Sequence, residues 1–160
     1  MSFASMLTGL VNARVVFVVV GGVAGSAHGS AHVTNDLDIC YDAAPANLER
    51  LATLLAAWKA YPRDVEPGLP FFMDTRTLRT TPVLTLRTTE GALDVLDNIA
   101  GVSEYAAVRK HSETVRAFSV SFRILDLPTL IVAKRAAGRP KDMAHLPELE
   151  AILALRTLEP

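Results

Sequence analysis

The chain has 160 residues, half of them hydrophobic, which is enough for one compact core and short for two. Its formal net charge of -1 excludes a global basic field of the kind that draws a protein to nucleic acid, so an RNA partner would need a local patch. The single cysteine, Cys40, excludes an intrachain disulfide framework and points to a cytoplasmic protein.

The first stretch, "SFASMLTGLVNA", sets Phe3, Met6, Leu7, Leu10 and Val11 on one side of a helix. Arg14 and the apolar run after it have the look of a secretory leader. The helical period before Arg14 argues against that, and the run from Val15 to Val20 is too short to span a bilayer. "RVVFVVV" is a β-branched run without alternation, expected as a central strand covered on both faces. Gly21 and Gly22 end it, and "VAGSAHG" has the small residues of a short, closely packed helix. "DLDICYD" reads as a second strand, with Leu37, Ile39 and Tyr41 on one face and Asp36, Asp38, Cys40 and Asp42 on the other.

Pro45 opens a helix whose leucines and Trp58 form an apolar stripe. "YPRDVEPGLP" is expected as a surface loop. A hairpin with a Thr-Glu-Gly turn follows in "TPVLTLRTTEGALDVLDNI", then a short helix over 103–110 and a strand pair in "ETVRAFSVSFRIL". The last third is helical, with Pro128 near one N-terminus, Gly138 past a C-terminus and Pro147 expected to bend the final helix. The order of elements predicts an α/β (α+β) fold, a mixed sheet flanked by helices. It forms a single domain over 1–160, with its core about 14–125 and a helical segment about 126–160.

The two aspartates one residue apart are the feature that asks for chemistry. Asp36 and Asp38 point the same way from a strand whose other residues are apolar, a costly arrangement unless a cation or donors neutralise it. Mg²⁺ suits such a pair, because it takes carboxylate oxygens and completes its shell with water and substrate phosphates. The Gly21-Gly22 turn upstream allows close approach of backbone amides to a phosphate. Asp94 is the candidate third acid, since it lies inside a later hydrophobic strand; Asp97 at that strand's end is the weaker choice. His28, His32, His111 and His145 do not form metal-ligand spacing, and Cys40 is expected as a buried small residue rather than a zinc ligand.

Gly-Gly, then "HG" at His28-Gly29, then Thr34-x-Asp36-x-Asp38 on a hydrophobic strand resembles the signature of the nucleotidyltransferase superfamily, the polymerase-β-like fold. "LIVAKRAAGRPKDMAHL" is similar to a C-terminal motif of its minimal and abortive-infection branches. The resemblance implies that Asp36, Asp38 and Asp94 bind Mg²⁺ or Mn²⁺ and that Asp36, Asp38, Asp94 and Lys134 are catalytic. It implies that Gly21, Gly22, His32, Thr34, Arg139 and Asp142 contact the NTP, with Lys141 beside the last two. Lys134 and Asp142 are expected on two helices that converge. One departure stands out: relatives often carry arginine where this chain has His32, which supplies that charge only when protonated.

The implied activity is transfer of an NMP from an NTP to an acceptor hydroxyl. By resemblance the protein is one partner of a toxin–antitoxin or abortive-infection system and its acceptor a tRNA end or a protein hydroxyl, tRNA being suggested by "KRAAGRPKD" as a local basic patch. The near-neutral charge favours an acceptor on a protein or small molecule. A catalytically inactive nucleotide- or protein-binding module, antitoxin-like, is the reading of another class. No membrane partner is expected.

Overall fold

The computed structural model describes residues 2–158. Helix α1 (Phe3–Asn12) is capped by the Ser2 hydroxyl, which accepts from the Ser5 amide, and it buries Met6, Leu7 and Leu10. Strand β1 (Phe17–Val20) leads directly into helix α2 (Gly21–Ala27), so the helix begins at the first glycine rather than after the pair. Strand β2 (Asp36–Tyr41), helix α3 (Pro45–Ala57) and a two-residue strand β3 (Tyr61–Pro62) follow. The short strand lies where the Pro- and Gly-rich composition predicts only loop.

Helix α4 (Thr75–Thr80) precedes the hairpin β4 (Val83–Thr88) and β5 (Gly91–Leu96). The small strands β6 (Asn98–Ile99) and β7 (Ser103–Glu104) pair with each other, and β7 runs into α5 (Tyr105–Lys110). Strands β8 (Ser112–Ala117) and β9 (Val120–Leu125) form the predicted second hairpin. Helix α6 (Leu127–Ala137) is capped by the Asp126 carboxylate at one end and closed by Gly138 at φ 64° at the other. Helix α7 (Pro140–Leu158) contains Pro147 as one continuous element, although a proline there has no amide to give the preceding turn.

Seven strands make one mixed sheet in the order β3-β4-β5-β2-β1-β9-β8. The unbroken apolar character of β1 now has its reason. It pairs antiparallel with β2 on one side and parallel with β9 on the other, and every one of its residues is buried. Strand β9 carries the expected alternation, with Phe122 and Ile124 buried and Ser121 exposed. The protein has an α/β fold with a mixed sheet and flanking helices. One hydrophobic cluster takes in Met6, Leu7 and Leu10 from α1, the strands, and Leu130, Leu146 and Leu149 from α6 and α7, so the terminal helices share the core of the 14–125 segment. No helix among the described residues is long and apolar enough to cross a membrane.

Candidate functional site

The site grows out of one register. Strand β2 pairs parallel with β5 so that Asp38 stands opposite Asp94 and Asp36 opposite Ala92. Neighbouring parallel strands put paired side chains on the same face, so two acids remote in sequence become adjacent. One oxygen from each of Asp36, Asp38 and Asp94 lies within 4.8 Å of the others, a set with the chemistry and spread to hold a metal ion. It is the one such group of His, Cys, Asp or Glu side chains among the described residues.

The electrostatics favour a cation at these acids. Burial, then the adjoining Asp94 carboxylate, then Asp36 push the Asp38 carboxyl up to about 8, against a smaller opposing effect from Lys134. Burial also raises Asp94, while hydrogen bonds from Asp38 and from the Arg63 guanidinium work the other way. The hydrophobic strand holds the acids in place, and their mutual repulsion is only partly offset. A cation is the group that this donor set fits.

Gly21 is required here on two counts. It sits at φ 65°, where a side chain is strained, and a Cβ on it would overlap Asp38 Oδ2. A Cβ on Gly22 would come within 2.8 Å of the Thr34 side chain. Thr34 in turn donates from Oγ1 to the Asp36 carbonyl at 3.2 Å, tying the approach loop to the start of β2. The glycine pair and the T-x-D-x-D stretch therefore pack as one unit, which explains their joint presence.

Across the cleft, α6 and α7 bring together Lys134, Arg139 and Asp142. Asp142 is fully buried and accepts from Arg139 Nε at 2.6 Å, from Arg139 Nη2 at 3.2 Å and from Lys134 Nζ at 3.4 Å. Burial alone would raise this carboxyl, but the Arg139 hydrogen bonds and the charges of Arg139 and Lys134 hold it below its ordinary value.

Gly21, Gly22, His32, Thr34, Asp36, Asp38, Asp94, Lys134, Arg139 and Asp142 all line a single cleft of about 590 Å³, and Lys141 joins them. Asp42 and Asp97 stay out of it: Asp42 accepts from the Ala44 amide in a turn and Asp97 from the Asn98 side chain. His28 is buried away from the cleft, its Nε2 on the Leu125 carbonyl at 2.8 Å and its Nδ1 facing Arg156 at 3.2 Å, a structural tie between α2, β9 and α7. Cys40 is buried and its thiol is pushed up to about 12 by burial, which leaves it inert.

Two features escape the sequence reading. His32 stacks on His145 with ring centroids 4.4 Å apart, and His145 Nε2 meets the Ser30 hydroxyl at 2.9 Å, where Ser30 also bonds Glu148. Burial, with Lys134 and His32 nearby, lowers His145, so His32 rests on a ring that favours its neutral form. The other is Arg63, which follows β3 and donates from Nη2 to Asp94 Oδ1 at 2.6 Å, with Asp36 Oδ2 at 3.6 Å. Three acids with no basic partner on their own strands were the available sign that a cation must arrive from elsewhere.

Comparison of the chain with protein-family models and with curated protein sequences finds no match.

Proposed function

We propose that the protein is a metal-dependent nucleotidyltransferase that moves an NMP from an NTP to an acceptor hydroxyl. The observation that carries this reading is the meeting of Asp36, Asp38 and Asp94 with the Gly21-Gly22 turn and Lys134 around one cleft. Asp36, Asp38 and Asp94 would hold Mg²⁺ or Mn²⁺, which when bound offsets phosphate charge and acidifies the attacking hydroxyl. Asp38, whose carboxyl burial and the neighbouring acids raise to about 8, would be ionised beside such a cation. Asp94 accepts the proton of the acceptor hydroxyl as the acceptor oxygen bonds to the α-phosphorus and the bond to pyrophosphate breaks. Gly21 and Gly22, packed against Asp38 and Thr34, bring the backbone of their turn to the cleft wall where the triphosphate would lie, and Lys134 faces its charge from α6.

For the acceptor, tRNA and a toxin–antitoxin role follow from the resemblance in "KRAAGRPKD". A protein or small-molecule acceptor is the second reading, and a specific observation favours it. Within the basic cluster Lys134 and Arg139 share Asp142 and Arg135 pairs with Glu150, so these two carboxylates offset part of the charge of Lys134, Arg135, Arg139 and Lys141. A patch reduced in this way offers a phosphate backbone less than its sequence suggests.

Label from each of four α-³²P NTPs, offered with Mg²⁺ or Mn²⁺ to total tRNA and to protein, tests both points. Labelling by the wild type that is lost in Asp36→Ala plus Asp38→Ala supports the transferase, and the labelled species names the acceptor class. NTP binding without labelling of any acceptor would replace it with the binding-module reading.

A further inference from the structure

Arg63 is built into the fold more firmly than an exposed loop arginine needs to be. Its amide donates to the Thr85 carbonyl at 2.9 Å, its Nη1 to the Leu86 carbonyl at 2.6 Å, and its Nη2 to Asp94 Oδ1 at 2.6 Å. The loop beyond it is closed on itself, with the Tyr61 hydroxyl 2.8 Å from the Glu66 carbonyl and 2.9 Å from the Leu69 carbonyl. Asp64 is anchored as well, accepting from Thr85 Oγ1 at 3.0 Å. Among the described residues, Arg63 is the one Lys or Arg at ion-pair distance from Asp36 and Asp94. The acids line the cleft and Arg63 does not, so it reaches them from outside.

We propose that Arg63 is a positioning residue that orients Asp94 and Asp36 for the cation, an inference that rests on the metal-centre reading above. It hydrogen-bonds Asp94 Oδ1 at 2.6 Å and lies 3.6 Å from Asp36 Oδ2, engaging one oxygen of each carboxylate and leaving the other. Two roles for this guanidinium make opposite predictions. As a mere like charge beside a divalent ion it would weaken metal binding, so its removal would tighten it. As a positioning group its removal weakens binding, because Asp94 and Asp36 lose the fixed point that orients them. Anchorage on the Leu86 carbonyl favours the second role, since a charge that only filled the site would need no third fixed point.

Mn²⁺ titration of the intact protein, followed by the electron paramagnetic resonance of free Mn²⁺, separates the two for wild type, Arg63→Gln and Arg63→Lys. Folding is checked by circular dichroism. The expected result is weaker binding in Arg63→Gln by roughly tenfold or more. Arg63→Lys falls between the two, because a single ammonium cannot hold both Leu86 and Asp94 in the fork geometry of arginine. Equal or tighter binding in Arg63→Gln would overturn the proposal. Should Arg63→Gln fail to fold, Arg63→Lys decides by the same criterion. Absence of Mn²⁺ binding in the wild type would instead remove the metal-centre reading, and this inference with it.

Discussion

One cleft holds two groups of acids in opposite electrostatic states. Asp142 is buried, yet its carboxyl is held low, because Arg139 and Lys134 both bond to it. Asp38 and Asp94 are raised, first by burial and, at Asp38, by the neighbouring carboxylates, with only Lys134 opposing at Asp38, while at Asp94 the hydrogen bonds from Asp38 and Arg63 oppose the rise. Burial sets the stakes and the partner decides the sign. The α6–α7 group is complete as it stands, whereas the β2–β5 group is short of positive charge. Under the proposed function that difference would put the cation on the strands and leave the helical motif to shape the opposite wall of the cleft.

The contrast can be broken most sharply at Asp142. Asp142→Asn leaves Lys134 and Arg139 facing a neutral amide, and we expect a loss of about 3 kcal/mol in chemical unfolding. That corresponds to a fall in Tm of roughly 6–12 °C. Asp38→Asn should do the reverse in metal-free buffer near neutral pH, leaving stability unchanged or raised, because a neutral amide sits beside Asp36 and Asp94 without the proton that folded Asp38 must take up. Gly21→Ala comes next: strain at φ 65° and overlap with Asp38 should cost about 1–3 kcal/mol, with Mn²⁺ binding lost in the same variant.

The pH dependence of the metal-free protein sharpens the same point. Between the ordinary carboxyl value of 3.8 and about 8, folded Asp38 holds a proton that the unfolded chain has released. Stability from this group is therefore full at low pH and lost as pH rises toward 8. Melting temperatures measured across that window should fall with pH in the wild type, more gently in Asp38→Asn, and Mg²⁺ added at the alkaline end should restore the wild type alone. The smallest effect belongs to Arg135 and Glu150, whose side chains are 59% and 48% exposed. Arg135→Gln should change stability by less than about 0.5 kcal/mol, a baseline for an ion pair that carries neither burial nor function.

Much of this layout is legible in the sequence, for reasons visible in particular residues. The apolar run before Gly21 marks a strand with neighbours on both sides, and the alternation in "DLDICY" gives the face of Asp36 and Asp38 before any register is known. Asp94 stands out as an acid on an apolar strand. Its place opposite Asp38 is another matter, since the parallel pairing of β2 with β5 is set by the whole sheet order and by no local signal. Arg63 is hidden for a related reason. A strand of two residues has no period to detect, and Pro62 and the glycine and prolines beyond it read as loop. The stack of His32 on His145 joins residues brought together only by the docking of α7. The resemblance to nucleotidyltransferases supplies an activity that periodicity and spacing do not, and it remains a proposal about the cleft rather than a property of the fold.

The measurement that tests the central claim most directly is pyrophosphate release from each of the four NTPs in the presence of Mg²⁺, by wild type and by Asp38→Asn, with acceptor labelling followed in parallel. Release by the wild type from at least one NTP, matched by labelled acceptor and absent in a folded Asp38→Asn protein, is the predicted result. Equal release by the two proteins, or none from any NTP by a wild type that binds both metal and nucleotide, would contradict it.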